Sequence, residues 1–451
     1  MIRAIPLLAL CACSPGAETG GPDGAPSISD TRWALDEQIG AVVRVAWWQA
    51  RDGVGRVEYR FEGEDWLVSP ARERGAGEQT QALVGIPYDT DVELRVVLET
   101  DGEQVEGDVL VARTGPLPDP TLAPRLLAAD STRWEPGGRW LITSLNATQM
   151  GWRSGQFYAF ILDRQGRVIW ARPTEGQHFT LAAQVARDGA SLWVDDNTFW
   201  SNLAEEPPCQ LHRLTLAGGV SESVEIPDAN HPWTELPGGR IAWWALPGGG
   251  LGELRVREPD GSRWVLLTCE DPQNPFSNDE SCLANTVSWR EDDDSFLVSL
   301  ALQDLVLHLD GQDGEILHRF GPRDDAWGFD PPESAFYLQH GVAFTDAGTL
   351  LLSAHAGEAD ETGVAREYAL DEAAGLLRQV WSFGEGEGVR ADLGGEAQRL
   401  PGGNTLHGYG TTPRLREITP AGEVVWDLAW EEGYLLGHAS FVEDLWPLVG
   451  E

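Results

Sequence analysis

The chain is 451 residues long, and its 42% hydrophobic and 23% charged residues are the proportions of a globular protein, which excludes a fibrous or disordered chain. It carries 72 Asp and Glu against 32 positive residues, every one of them an arginine, for a formal net charge of -40. A surface this acidic repels phosphate backbones, so nucleic acid is excluded as a partner, and an anionic ligand would need a locally positive site.

The chain opens on "MIRAIPLLALCACSPGAETGGPDGAPS". Arg3 followed by the apolar run from Ala4 to Ala12 reads as a signal-peptide core, too short to span a bilayer. "LCAC", Leu10 to Cys13, fits a lipobox with small Ala12 ahead of the modified cysteine, so residues 1–13 are expected to be a lipoprotein signal with Cys13 lipidated. Residues 14–29, rich in Gly, Pro, Ser and Glu, then form a flexible tether. On this reading the protein is exported and held in the cell envelope by a lipid anchor only, at the outer membrane, facing the periplasm or the cell surface. Export implies an oxidising compartment. Of the three remaining cysteines, Cys269 and Cys282 flank the turn-rich loop "CEDPQNPFSNDESC" and are the expected disulfide, with Cys209 left free. No Cys or His pair has metal-ligand spacing, so no metal site and no cofactor is expected.

From residue 30 to 115 short alternating strands ("AVVRVAWW", "RVEYRFEG", "DVELRVVLETDG") separated by turn residues predict a β-sandwich of fibronectin type III character. It offers no convergent titratable cluster; docking or homodimer contact is its expected role. The proline-dense "GPLPDPTLAP" marks a stiff linker, placed at 116–125. Residues 126–451 then repeat a unit of an inner-strand segment followed by hairpins with Gly or Asp turns, as in "NHPWTELPGGRIAWWAL" with "LRVREPDGSRWVLLT". Six units are read, which predicts a six-bladed β-propeller, an all-β fold whose sheets bury their faces against their neighbours. The 20 tryptophans suit such packing.

In a propeller the entrance of each inner strand converges on the axis. Aligned on the opening polar residue of each unit, His178, His231, Leu283 and His340 fall at one repeat position, 53, 52 and 57 residues apart. His178, His231 and His340 are therefore the candidate site histidines. His212, His308, His318, His355, His407 and His438 are read as structural.

These segments resemble the bacterial arylsulfate sulfotransferases. The resemblance covers roughly residues 115 to 440 and rests on "ILDRQGRVIW", "NHPWTELPGGRIAWW", "NTVSWREDDDSFLVSLALQDLVLHLDGQDGEILHRFG", "FYLQHGVAFTDAGTLLL", "REYAL" and "LPGGNTLHGYGTTPRLREITPAGEVVW" taken together. It implies ping-pong transfer of a sulfuryl group from an aryl sulfate to a phenol, without a nucleotide sulfate donor. His340 matches the family's nucleophile, which forms a sulfohistidine. His231 matches a second channel histidine, placed to donate hydrogen bonds or move the phenol's proton. Asn285 matches the asparagine of the His-x-Asn motif and would hold a sulfuryl oxygen. Two positions depart from the pattern: the histidine of that motif is Leu283 and the expected arginine is Ala301. Arg366 and His178 are the candidates to supply the missing donors. The departures leave open an alternative, a catalytically inactive propeller that binds a ligand or a protein at the cell envelope, and, third, a different group transfer in the same channel.

Overall fold

The computed structural model describes residues 27–146, 157–174, 178, 180–197, 209–249, 251–269 and 282–450. The expected signal segment, Cys13 and nearly all of the tether lie outside them. Among the described residues the fold is all-β, with short 3-10 turns and no α-helix. The chain divides into two units, one made of residues up to Ala34 with Arg44–Gln81 and Val92–Ala112, the other of Leu35–Val43, Ala82–Asp91 and Arg113–Glu451.

Among its described residues the first unit is built on two sheets, one of three strands and one of six. Strand Val43–Gln49 alternates buried and exposed residues along its length, as a half-buried strand must. Trp47 is fully buried, with the Arg74 guanidinium 4.9 Å from its ring.

Among its described residues the second unit contains six sheets of four or five strands, antiparallel except where Gly328–Asp330 pairs in parallel with Leu376–Phe383, a propeller-like arrangement. The second strand of each sheet, such as Arg240–Ala245, Ser295–Leu300 and Leu350–Gly357, is an apolar run buried on both faces over most of its length. That is the pattern of a strand covered by neighbours on each side. Tryptophan indoles link successive sheets, because a buried ring must still place its N–H on an acceptor. Trp170 Nε1 donates to the Leu216 carbonyl at 3.0 Å, and Trp244 Nε1 to the Cys282 carbonyl at 2.9 Å. Trp426 Nε1 donates to the Arg164 carbonyl at 2.9 Å.

The two ends of this unit interlock. Strand Arg125–Ala129 pairs with Val424–Ala429 of the last sheet. The C-terminal strands Leu435–Leu436 and Ser440–Val442 in turn complete the first sheet on Trp140–Asn146. Cys269 and Cys282 are joined in a disulfide, and Cys209 is a buried thiol outside it that donates to Asn197 Oδ1 at 3.4 Å.

Candidate active site

The inner strands of five sheets begin at a common station. His231 stands three residues before the pair Thr234↔Ala242, Asn285 three before Ser288↔Leu297, and His340 three before Ala343↔Leu351. Leu181 and Gly395 hold the same station before Gln184↔Trp193 and Gln398↔Leu406. The strand register thus corrects the sequence alignment at two points. The counterpart of His231 in the fourth sheet is Asn285 and not Leu283, and in the second sheet it is Leu181 and not His178. Irregular pairing at the strand entrances, between Ala229 and Trp233 and between Ala284 and Thr286, shifts the spacing that counting from the opening polar residue assumes.

These entrances surround a cavity of about 560 Å3 whose lining includes His231, Asn285, His340, Glu396 and His438. His340 is fixed at both ring nitrogens. Nδ1 donates to the Leu338 carbonyl at 3.1 Å, and Nε2 accepts the Gly394 backbone N–H at 3.2 Å. A carbonyl only accepts, so Nδ1 carries the proton and Nε2 presents its lone pair. Removal from water holds this imidazole down to about 4, against the pull of the Leu338 carbonyl and with His355 adding repulsion. At neutral pH it is an uncharged ring whose one lone pair, on Nε2, meets the Gly394 N–H.

His231 is pushed lower, to about 3, first by burial and then by the charge of His340, although a bond to the Asn285 backbone opposes the shift. The two imidazoles therefore share one electrostatic environment in one cavity. Asn285 Nδ2 donates to the Gln339 carbonyl at 2.8 Å, which ties the fourth inner strand to the fifth beside His340.

The opposite side of the site is one the sequence reading passed over. His438, on the segment leading into Ser440–Val442, is anchored by its own N–H to the Leu181 carbonyl at 2.7 Å. Its Nδ1 lies 2.7 Å and 3.0 Å from the two carboxylate oxygens of Glu396. Burial works against its charge, but Glu396, by proximity and hydrogen bond, and then Asp195 shift it upward overall. No hairpin repeat contains His438, which is why alignment of the units left it among the structural histidines. A signal was available in "GHASFV": a final strand with no hairpin of its own must complete an earlier sheet.

His178 and Arg366 are not among the residues that line the cavity. His178 pairs with Asp196. Arg366 is buried, and its guanidinium donates to the carbonyls of Ser334, Ala335 and Ala356 and to Glu385. Four of its five N–H donors have acceptors in these bonds, so it braces the fifth sheet, and it is not in the cavity lining to supply the missing cationic group. Ala301 and Leu283 do line the cavity, where Leu302 joins them in an apolar wall. Among the described residues the lining holds no arginine. Nor do the described residues hold a cluster of three or more ligand-type side chains suited to a metal.

Residues 270–431, about a third of the chain, match the model of the arylsulfotransferase (ASST) family. No curated protein matches the chain. Among solved structures it is similar to a protein of unknown function from Bacteroides caccae, at 15% identity over 65% of this chain and 94% of that one, with a TM-score of 0.43. A protein from Lactobacillus plantarum is similar at 12% identity over 63% and 81% of the two chains, TM-score 0.40. The Kuenenia stuttgartiensis hydrazine synthase is similar at 12% identity over 59% and 73%, TM-score 0.37.

Proposed function

We propose that this chain belongs to the arylsulfotransferase family and moves a sulfuryl group from an aryl sulfate to a phenolic acceptor, with His340 as nucleophile and a sulfohistidine as intermediate. The catalytic unit is a six-bladed propeller that follows a fibronectin type III-like sandwich in the sequence, in a chain exported as a lipoprotein through Cys13. The observation that carries the chemistry is the fixed tautomer of His340, a residue of the cavity lining: with the Nδ1 proton held by the Leu338 carbonyl, the ring's lone pair is on Nε2, where it meets the Gly394 N–H.

In the first half-reaction the Nε2–S bond forms and the S–O bond to the aryl group breaks. The phenolate departs, and the ring becomes an N-sulfo imidazolium whose Nδ1–H strengthens its bond to the Leu338 carbonyl as positive charge develops. The acceptor oxygen then attacks sulfur, the S–Nε2 bond breaks, and His340 returns to its neutral form. The Gly394 N–H that meets Nε2 in the free protein stands beside the incoming sulfuryl oxygens once that lone pair is committed to sulfur. Asn285 keeps one amide hydrogen for the same group. His231, depressed to about 3, is a poor proton carrier at neutral pH and acts as a neutral hydrogen-bonding wall.

The test is transfer itself. With a 4-nitrophenyl sulfate donor and a phenolic acceptor, the wild type releases nitrophenol and sulfates the acceptor, and His340→Gln does neither. Nitrophenol release that survives in the variant removes the proposal.

The wall of Ala301, Leu302 and Leu283 favours a second reading, a channel that binds an uncharged ligand without turning it over. Tight binding of neutral phenols with no covalent product would select it.

A further inference from the structure

The proposed reaction needs a proton twice: one delivered to the departing phenolate, one taken from the attacking phenol. The depressed His231 is a weak candidate for either, and His340 has its lone pair engaged with sulfur. The cavity holds one further imidazole, built differently from both. His438 presents Nδ1 to the Glu396 carboxylate, its backbone is pinned to Leu181, and it lies in the cavity wall with its side chain 24% exposed. Nε2, the nitrogen turned away from Glu396, makes no hydrogen bond to any described residue. A carboxylate on Nδ1 with a reachable Nε2 is the arrangement that lets an imidazole take and return a proton at one defined atom, because the carboxylate fixes the tautomer and stabilises the imidazolium.

Its distance from the nucleophile is set by backbone. Gly341 follows His340 and packs on Glu396 so closely that a Cβ there would lie 2.6 Å from Glu396 Cα, while Gly394, two residues before Glu396, bonds His340 Nε2. His340 and Glu396 thus stand against one another on the fifth and sixth inner strands, and His438 meets Glu396 from the C-terminal segment. The charged and titratable groups facing His438 are Glu396 and Asp195, both acidic, with His340 and His231 in the same cavity.

We infer that His438, held by Glu396, is the general acid and base of this site, giving its Nε2 proton to the leaving phenolate and recovering one from the acceptor phenol. This rests on the sulfuryl-transfer reading and assigns its proton step. The balance closes: the imidazolium–carboxylate pair and a phenolate become a neutral imidazole beside its carboxylate and a phenol, and the acceptor phenol then returns a proton to Nε2 as its oxygen bonds to sulfur. Glu396 is a positioning residue and does not itself exchange the proton.

The experiment compares wild type, His438→Gln and Glu396→Gln on donors from 4-nitrophenyl sulfate, whose phenolate leaves unaided, to phenyl sulfate, whose phenolate needs the proton. General acid catalysis accounts for about 100-fold or more. His438→Gln therefore loses about 100-fold on phenyl sulfate but under about 10-fold on 4-nitrophenyl sulfate, and Glu396→Gln moves in the same direction by less. Equal losses on both donors, or none on phenyl sulfate, overturn the assignment and leave His438 a structural residue. If wild type transfers from no donor, the sulfuryl reading fails, and the dyad is read from 4-nitrophenol binding by absorbance. Ionised nitrophenol in the wild type and neutral nitrophenol in His438→Gln uphold the proton site. Identical spectra, or no binding, overturn it.

Discussion

Gly341 lies against Glu396 so tightly that any side chain at 341 would stand 2.6 Å from the Glu396 Cα, and its backbone is left-handed, with φ of 59°. The position next to His340 is therefore closed to every other residue on two counts, strain and collision. Gly341→Ala is expected to cost at least about 2 kcal/mol in urea unfolding and to lower transfer by displacing both His340 and the dyad. A variant with wild-type stability and rate would show that the contact is not as close as described.

Buried neutral histidines give the fold an acid limit. His340 is held down to about 4, and His231 and His407 to about 3, in each case chiefly by burial. An unfolded imidazole titrates near the ordinary 6.5, so between these values the unfolded chain binds protons that the folded chain refuses. Their contribution is in place above about pH 6.5 and is lost as pH falls toward about 4 and 3, each histidine adding a slope of about 1.4 kcal/mol per pH unit within its window. His438, shifted upward, has the opposite sign: its contribution is present below the unfolded value and is lost as pH rises through the folded one. Urea midpoints against pH should fall below about pH 6.5, and His407→Gln should flatten the fall. A pH-independent midpoint across that range would contradict it.

The join between the first and last sheets rests on a buried ion pair. Arg164 bonds Glu417, which is fully buried and also accepts from Asn404 Nδ2 at 2.6 Å. The guanidinium lies 4.4 Å from the rings of Trp134, Trp426 and Phe441. Removing the cation alone leaves a carboxylate buried without compensation, so Arg164→Met should cost about 3 to 5 kcal/mol. The double variant with Glu417→Gln should recover part of that. Equal stability of the single and double variants in chemical denaturation would show that the charge pairing is not the source.

Much of the architecture was legible in the sequence because strand pairing leaves local marks. The runs "RIAWWA", "SFLVSL" and "LLLSAHAG" and their Gly or Asp turns read directly as the strands found there. His231, Asn285 and His340 were legible as well, and the structure brings them into one cavity. What failed was register. Irregular strand entrances at Ala229–Trp233 and Ala284–Thr286 change the spacing between units by a few residues, which misplaced His178 and Leu283, and no local mark reports such a shift. Arg366 was misjudged for a related reason: an arginine in a strand shows its charge in sequence, but the carbonyl cage that absorbs it comes from segments around residues 334 and 356. His438 was missed because its partner Glu396 lies 42 residues away and its strand completes the first sheet from the far end of the chain.

The apolar wall at Ala301 makes a prediction of gain. An arginine there would add a charge-assisted donor for a sulfuryl oxygen, of about 1.5 to 3 kcal/mol, so Ala301→Arg should lower the KM for an aryl sulfate by about 10- to 100-fold. An unchanged or raised KM in a folded variant would mean that the donor's sulfuryl group does not bind against that wall.

The most direct test of the whole account is the intact mass of the protein after exposure to 4-nitrophenyl sulfate with no acceptor present. The wild type should gain the mass of one sulfuryl group, located by peptide mapping on His340, and lose it when a phenol is added, while His340→Gln gains nothing. An unmodified wild type, or a sulfuryl group on any other residue, would contradict the claim that the Nε2 lone pair of His340 is what the fold is arranged to present.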